Sequence, residues 1–195
     1  MKNYKKNLKL LSKNYVYSRE MEHDACGVGL IASTEGKKSR AVVDYGIEAL
    51  KAVWHRGAVD ADGKTGDGAG IHLEIPKDFF IEKIQVTGHD YDNSEICVGM
   101  IFLPRNDYTS QENSKTIVES ELTKNDFNIY GWRQVPVNPK VLGEKALQTM
   151  PEIIQVLFKS NNPNLLDKEL ERKIYETRKK IENSANRLSL NNFYV

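Results

Sequence analysis

One cysteine stands at a position where its thiol could act as a nucleophile. The stretch MEHDACGVGLIASTEG, residues 21–36, places Cys26 directly before a short run of small and apolar residues. A thiol attacks only as the thiolate, so a nearby base must accept its proton. His23 is three residues upstream and His55 and His72 are distant, so spacing supports no Cys-His pair.

A second base becomes available if the peptide bond between Ala25 and Cys26 is cut. The new α-amine, with a pKa of about 7.7–8.0 in model peptides, would lie on the same residue as the thiol. N-terminal threonines are activated by their own amine in this way. The alternative interpretation of Cys26 is a buried cysteine in an ordinary strand.

The elements around Cys26 must hold it at an exposed strand end. Residues 26–33, CGVGLIAS, predict a strand, and STEGKK predicts a turn. Gly27 would let substrate and backbone approach closely. Helical spacing of Val43, Ile47, Leu50 and Trp54 predicts an amphipathic helix over residues 40–54, ended by Arg56-Gly57.

A glycine-rich loop, DADGKTGDGAG at residues 60–70, precedes a predicted strand at 71–75. The loop lacks the GxxxxGK[ST] pattern and enters a strand, so it is not a phosphate loop. Asp67 could order this loop, but a solvated turn aspartate is the favoured interpretation.

The rest of the chain predicts mixed helices and strands. Cys97 is expected in the core of its strand, and Trp54 and Trp132 are expected to be packing residues. Strand-type residues at the very end suggest an element cut short. The predicted helices are 77–84, 110–125 and 164–185, and the predicted strands are 95–104, 126–137, 152–160 and the last few residues.

Composition excludes several classes of protein. The length of 195 residues suits one domain, and 39% apolar residues can form a core. A net charge of +1 gives no reason to expect nucleic acid as a partner. Two distant cysteines indicate neither a disulfide framework nor a zinc site, and the absence of a long apolar run indicates no membrane span. We expect a cytoplasmic protein whose first 20 residues, rich in lysine, resemble an uninformative tail.

Six ordered segments resemble one family closely: the N-terminal class II glutamine amidotransferase domain of the glutamate synthase large subunit. This family has the N-terminal-nucleophile hydrolase fold, an α+β fold built as an αββα sandwich. The resemblance implies that residues 26–195 are an N-terminal part of that domain, incomplete at the C-terminus. The segments are HDACGVGLIAS, ALKAVWHRGA, DGKTGDGAGIHLEIPKDFF, VGMIFLPRN, YGWRQVPVNPKVLGEKAL and LERKIYETRKKIENSA.

The resemblance assigns roles to two residues. It makes residues 1–25 a candidate propeptide and Cys26 the nucleophile that releases ammonia from glutamine through a γ-glutamyl thioester. It also implies that Arg56, in the His-Arg-Gly turn, supports the nucleophile. From spacing alone, Arg56 could equally be a cation that interacts with the end of a helix.

The resemblance also indicates what this chain lacks. The family's glutamine-binding Arg-Tyr-Ser-Thr motif and its Asn-Gly oxyanion motif do not occur in these residues. The synthase portion, for which FMN and an iron-sulfur cluster are implied, is absent too, and it could be a separate partner chain. We therefore expect poor glutaminase activity from the chain alone. The alternative is a non-catalytic remnant or binding module of the same family.

Overall fold

The computed structural model describes residues 2–14, 27–54 and 57–195. The chain divides into two compact units, which are described separately. The first unit contains residues 1–59 and 66–71, and the second contains residues 60–65 and 72–195. Among the described residues, no helix is both long enough and apolar enough to cross a membrane.

Two helices form the regular structure of the first unit. Helix α1, Lys2–Asn14, was not expected from its lysine-rich sequence. Helix α2, Arg40–Ala52, confirms the predicted amphipathic helix, and an ion pair of 2.9 Å joins Arg40 Nε to Asp44 Oδ1 across one turn. The predicted packing role of Trp54 is wrong, because 77% of this residue is exposed.

Two predicted strands are absent from the described residues. Residues 27–33, which follow Cys26, and residues 71–76 have no regular secondary structure. Val28 is 94% exposed and Leu30 is 89% exposed. A strand is stable only when a neighbouring strand satisfies its backbone N–H and C=O groups, and no described segment pairs with either run.

The second unit is built on a three-stranded antiparallel sheet. Its strands are β1, Cys97–Leu103, β2, Phe127–Gln134, and β3, Glu152–Ser160, and all three were predicted. The strand order is β1–β3–β2, so β3 lies in the middle. The helices of this unit are α3, Lys77–Val86, α4, Tyr108–Lys124, α5, Glu144–Thr149, and α6, Asp167–Arg187. Together with the sheet, these helices confirm an α+β fold.

Side chains that alternate along the strands form a core on each face of the sheet. Helices α4 and α6 pack on one face, and α3 packs on the other. The first core includes Cys97, Ile101, Val118, Leu122, Phe127, Val156, Phe158 and Ile181, with Trp132 packed against it. The second core contains Phe80, Ile84, Ile96, Tyr130 and Leu157. The expected core position of Cys97 and the packing role of Trp132 are confirmed.

A β-bulge in β2 lies against Thr87, the residue that ends α3. The pairing of β2 with β3 shifts between Ile129 and Gly131, and Gly131 has a φ of +146°. The Thr87 hydroxyl, at the end of α3, lies 2.6 Å from the Ile84 carbonyl oxygen and 2.8 Å from the Tyr130 carbonyl oxygen. This contact explains the glycine, because a Cβ on Gly131 would stand 2.8 Å from Thr87 Cγ2.

The last residues form less than the predicted strand. Only Tyr194 pairs with the sheet, through an isolated antiparallel bridge to Phe102 on the outer edge of β1. With this bridge, the spatial order becomes Tyr194, β1, β3, β2.

Candidate functional site

The two residues with predicted catalytic roles, Cys26 and Arg56, lie outside the described residues. The structure describes the residues that follow each of them, from Gly27 and from Gly57, and the residues up to Trp54. Gly27 and the four residues after it are exposed, and a Cβ on Gly29 would meet no atom within 4 Å. The segment that follows the predicted nucleophile is therefore exposed to solvent over residues 27–31.

A hydrogen bond joins the described residues on either side of positions 55–56. The Gly57 N–H donates to the Trp54 carbonyl oxygen at 3.1 Å, so the residues on either side of 55–56 approach within hydrogen-bond distance. A Cβ on Gly57 would lie 3.4 Å from the same oxygen. This is an ordinary van der Waals distance, so the contact does not by itself require a glycine after the His-Arg pair.

Asp67 orders the loop that follows. Its carboxylate accepts a hydrogen bond of 2.9 Å from the Ala58 N–H, and its own N–H donates to the Ala58 carbonyl oxygen at 3.2 Å. Val59 and Gly66 form an isolated antiparallel bridge next to this pair. Asp67 is exposed to solvent, as the favoured interpretation expected, and its bond to a backbone donor nine residues away also supports the alternative in which it orders the loop.

The Asp60–Thr65 turn, within the second unit, is organised by the Asp62 carboxylate. Asp62 Oδ1 accepts from the Lys64 N–H at 2.9 Å and the Thr65 N–H at 2.7 Å, and the Thr65 hydroxyl donates to Oδ2 at 2.5 Å. These hydrogen bonds, with the Thr65 hydroxyl first, hold the pKa of Asp62 far below its usual value. Two amides of the loop are therefore occupied by a carboxylate of the protein itself.

The same turn docks on the start of α5. Lys145 Nζ lies 2.6 Å from Asp60 Oδ2. At Gly143 the backbones approach so closely that an added Cβ would lie 2.5 Å from Asp62 Oδ2 and nearer still to Thr65. Sequence reasoning missed this contact. The Asp-Gly-Lys-Thr run does indicate the turn itself, since aspartate side chains often accept hydrogen bonds from backbone N–H groups two or three residues later.

Cys97, the other cysteine of the chain, lacks the properties of a nucleophile. Cys97 lies on β1, and only 5% of it is exposed. Burial, with smaller contributions from Glu95 and Glu171, raises the pKa of its thiol to about 12. The thiolate is therefore scarce at neutral pH. Among the described residues, no three His, Cys, Asp or Glu side chains cluster in a way that could hold a metal ion.

Comparison with known proteins supplies independent information on the whole segment. A family model for class II glutamine amidotransferases matches residues 26–195. The glutamate synthase [NADPH] large chain of Azospirillum brasilense is 48% identical over 192 residues, which cover 98% of this chain and 13% of the relative. The ferredoxin-dependent glutamate synthase of Pyropia yezoensis is 39% identical over 175 residues, 89% of this chain and 11% of the relative.

A plant protein shows the same relationship. Ferredoxin-dependent glutamate synthase 1, chloroplastic/mitochondrial, of Arabidopsis thaliana is 40% identical over 165 residues, 84% of this chain and 10% of the relative. The chain thus spans only 10% to 13% of the length of these curated relatives.

Proposed function

Because the chain belongs to the class II glutamine amidotransferase family, we propose that Cys26 is the nucleophile that releases ammonia from glutamine for glutamate synthesis. The observation that carries this proposal is the position at which the family match begins, which is Cys26 itself. The relatives named as glutamate synthases support the second half of the proposal.

Residues 1–25 serve as a propeptide in this proposal. Their removal places a free α-amine on Cys26, with a pKa of about 7.7–8.0 before any influence of the fold. The match to the Azospirillum brasilense protein covers 98% of this chain, so it includes most of these upstream residues. A leader similar in sequence in a relative of this family supports processing rather than an arbitrary tail.

The reaction proceeds in two acyl-transfer steps. The Cys26 sulfur attacks the side-chain amide carbon of glutamine, the carbon–nitrogen bond breaks, and the α-amine passes the thiol proton to the departing ammonia. Water then attacks the γ-glutamyl thioester, the carbon–sulfur bond breaks, and glutamate and the thiol are released. Covalent catalysis of this kind replaces one difficult step with two easier ones.

Arg56 is proposed as a positioning residue for the nucleophile. The Gly57–Trp54 hydrogen bond and the Ala58–Asp67 pair hold the described residues on both sides of this segment. Such fixed neighbours are what a side chain needs if it is to keep another residue in one geometry.

The rest of the proposed enzyme extends beyond this chain. The proposed fold is the αββα sandwich of N-terminal-nucleophile hydrolases, and the match to the class II glutamine amidotransferase family supports it. FMN and an iron-sulfur cluster are proposed for the synthase portion, as the resemblance implies. Removal of one oxyanion donor lowers catalytic rates about 10² to 10³-fold. We therefore expect low glutaminase activity until residues that supply the missing motifs are present.

A glutamine-like alkylating agent tests the proposal. 6-Diazo-5-oxo-L-norleucine should label Cys26, read by peptide mass spectrometry, in protein that has lost residues 1–25. The chain provides its own control, because Cys97 is buried and should stay unlabelled. Cys26→Ala should abolish labelling, and Cys97→Ala should leave it unchanged.

Intact-mass measurement distinguishes the proposal from the alternative. A non-catalytic remnant would keep residues 1–25 and resist the reagent even in a longer form that supplies both missing motifs. An unlabelled Cys26 in such a processed protein would refute the proposed role.

A further inference from the structure

The sheet-end cavity of the second unit lies where β1 and β2 end and β3 begins, beside the first turns of α4. Its volume is about 340 Å³, which is within the range of small-molecule sites, about 300–1,000 Å³. Leu103 is fully buried and Ile154 is 5% exposed, so these two side chains give the cavity an apolar floor. The polar part of the lining includes Arg105, Asn106, Gln111 and Lys115.

Arg105 brings a guanidinium to this cavity, and among the described residues no carboxylate forms an ion pair with it. Its Nη1 lies 3.9 Å from Met150 Sδ, and a thioether sulfur is a weak acceptor. The backbone of Arg105 is fixed, because Gln111 Nε2 donates to the carbonyl oxygens of Pro104 at 2.7 Å and of Arg105 at 3.2 Å. An arginine held in this way can bind a carboxylate through two parallel hydrogen bonds.

The carboxylates nearest to Arg105 in the sequence and in the lining have other partners. Asp107 caps the N-terminus of α4. Glu152, which lines the cavity, accepts a hydrogen bond from Gln134 Nε2. Glu112 pairs with Lys115 at 2.9 Å, but the Glu112 side chain is 71% exposed. Because an exposed ion pair contributes little stability, Lys115 can exchange this partner for a ligand at small cost.

The charges of the lining favour a ligand with a single negative charge. Arg105 and Lys115 are positive, and Glu152 is negative. Glu152 would repel a second negative charge on the ligand, because like charges held close together in a partly enclosed site are unfavourable. The apolar floor favours a ligand with a hydrocarbon body over an inorganic ion.

We infer that the sheet-end cavity binds a small monocarboxylic acid. The carboxylate accepts hydrogen bonds from Arg105 and Lys115, and the hydrocarbon chain lies on Leu103 and Ile154. A water-sized group takes up about 30 Å³, so an acid of about four or five carbons fits within the 340 Å³ of the cavity. This site goes beyond the proposed role of Cys26 and does not depend on it.

Titration of the whole chain with butyrate, followed by NMR, tests the site. We expect the side-chain amide signals of Asn106 and Gln111 to shift and to saturate, with a Kd on the order of 1 mM. Two ligands with the same four-carbon chain are matched controls. Succinate, which has a second carboxylate in place of the methyl group, should bind at least about threefold more weakly. The uncharged 1-butanol should give no saturable shift.

Three variants test the residues that bind the carboxylate. Arg105→Gln should weaken butyrate binding at least about tenfold, because hydrogen bonds to charged groups are strong. Lys115→Gln should weaken it about threefold or more. The matched control is Lys124→Gln on the same helix, because Lys124 also pairs with a glutamate three residues earlier but does not line the cavity. Its affinity for butyrate should equal that of wild type.

Three results would overturn the inference. One is the absence of saturable shifts at Asn106 and Gln111 with butyrate. Another is an affinity of Arg105→Gln equal to that of wild type or of Lys124→Gln. The third is tighter binding of succinate than of butyrate, because Glu152 would then not limit the charge of the ligand.

Discussion

Replacement of Gly131 by alanine should destabilise the second unit through a defined steric contact. The new Cβ would stand 2.8 Å from Thr87 Cγ2 and 3.0 Å from Thr87 Cβ, and the backbone φ of +146° is unfavourable for alanine. Overpacking of this kind costs about 1–3 kcal/mol, and the backbone strain about 1–3 kcal/mol. We expect a loss of about 2–6 kcal/mol in the free energy of unfolding, against a typical total of about 5–15 kcal/mol.

Gly88→Ala is the matched control, because it separates the two contributions. Gly88 also has a positive φ, +83°, but a Cβ there would meet nothing within 4 Å. This variant should lose only the backbone contribution, about 1–2 kcal/mol. Urea unfolding followed by circular dichroism gives both values, provided that the slopes of the transitions agree.

A third variant tests the identity of the clash. Thr87→Ser removes Cγ2 but keeps the hydroxyl that lies beside the Ile84 and Tyr130 carbonyl oxygens. Combined with Gly131→Ala, it should recover at least about 0.5 kcal/mol relative to the sum of the single variants. Equal losses for the Gly131 and Gly88 variants, with no recovery by serine, would refute the reasoning.

Three further predictions concern the loop, a surface carboxylate and the buried thiol. Gly143→Ala should force the Asp60–Thr65 turn off α5 and speed exchange of the Thr65 amide at least tenfold, whereas Gly68→Ala, where a Cβ meets no atom, should not. Asp92→Asn should cost about 1 kcal/mol at neutral pH, since the lost ion pair with Lys159 is exposed and screened. The asparagine oxygen can still accept the hydrogen bonds that the Tyr130 hydroxyl and the Ser94 N–H donate to Asp92. Hydrogen bonds from Lys159 and, to a smaller extent, from Ser94 lower the pKa of Asp92. The difference in urea midpoint between the variant and wild type should therefore shrink as the pH falls below about 4. Cys97 should resist iodoacetamide at pH 7.5 until urea unfolds the protein, and rapid labelling of folded protein would contradict its burial.

The sequence predicted the second unit well because its patterns match packed elements. Strand β1 ends at Leu103, just before Pro104, and α4 begins after Asp107, whose carboxylate accepts from the Ser110 N–H at 2.9 Å. A proline after a strand and an aspartate before a helix are boundary signals that can be recognised without a structure. In contrast, helix α5 was missed, because a six-residue helix carries too little periodicity to recognise.

Two predicted strands did not form, because a local pattern carries no information about the partner strand. Apolar residues at 28–31 and alternation at 71–75 indicate that one face could be buried, but not which segment would pair with it. The bulge at Gly131 was also missed, although an isolated glycine inside a strand pattern is a recognised sign of one. For the candidate site, Cys26 and Arg56 came from the resemblance. The Asp62 hydrogen bonds are local, whereas the close approach of Gly143 to this turn joins residues about 80 positions apart, a separation that no local pattern spans.

The strand order has a consequence for synthesis on the ribosome. β1 pairs with β3 and not with the strand that follows it, and β2 pairs only with β3. Nascent chains grow at about 5–20 residues per second, so β1 waits on the order of several seconds between the completion of Leu103 and the arrival of Glu152. During that interval both edges of β1 are unpaired, and its apolar side chains can be shielded by α3, by α4 or by a chaperone. A pause in translation between these two strands should therefore increase aggregation more than a pause placed after Ser160.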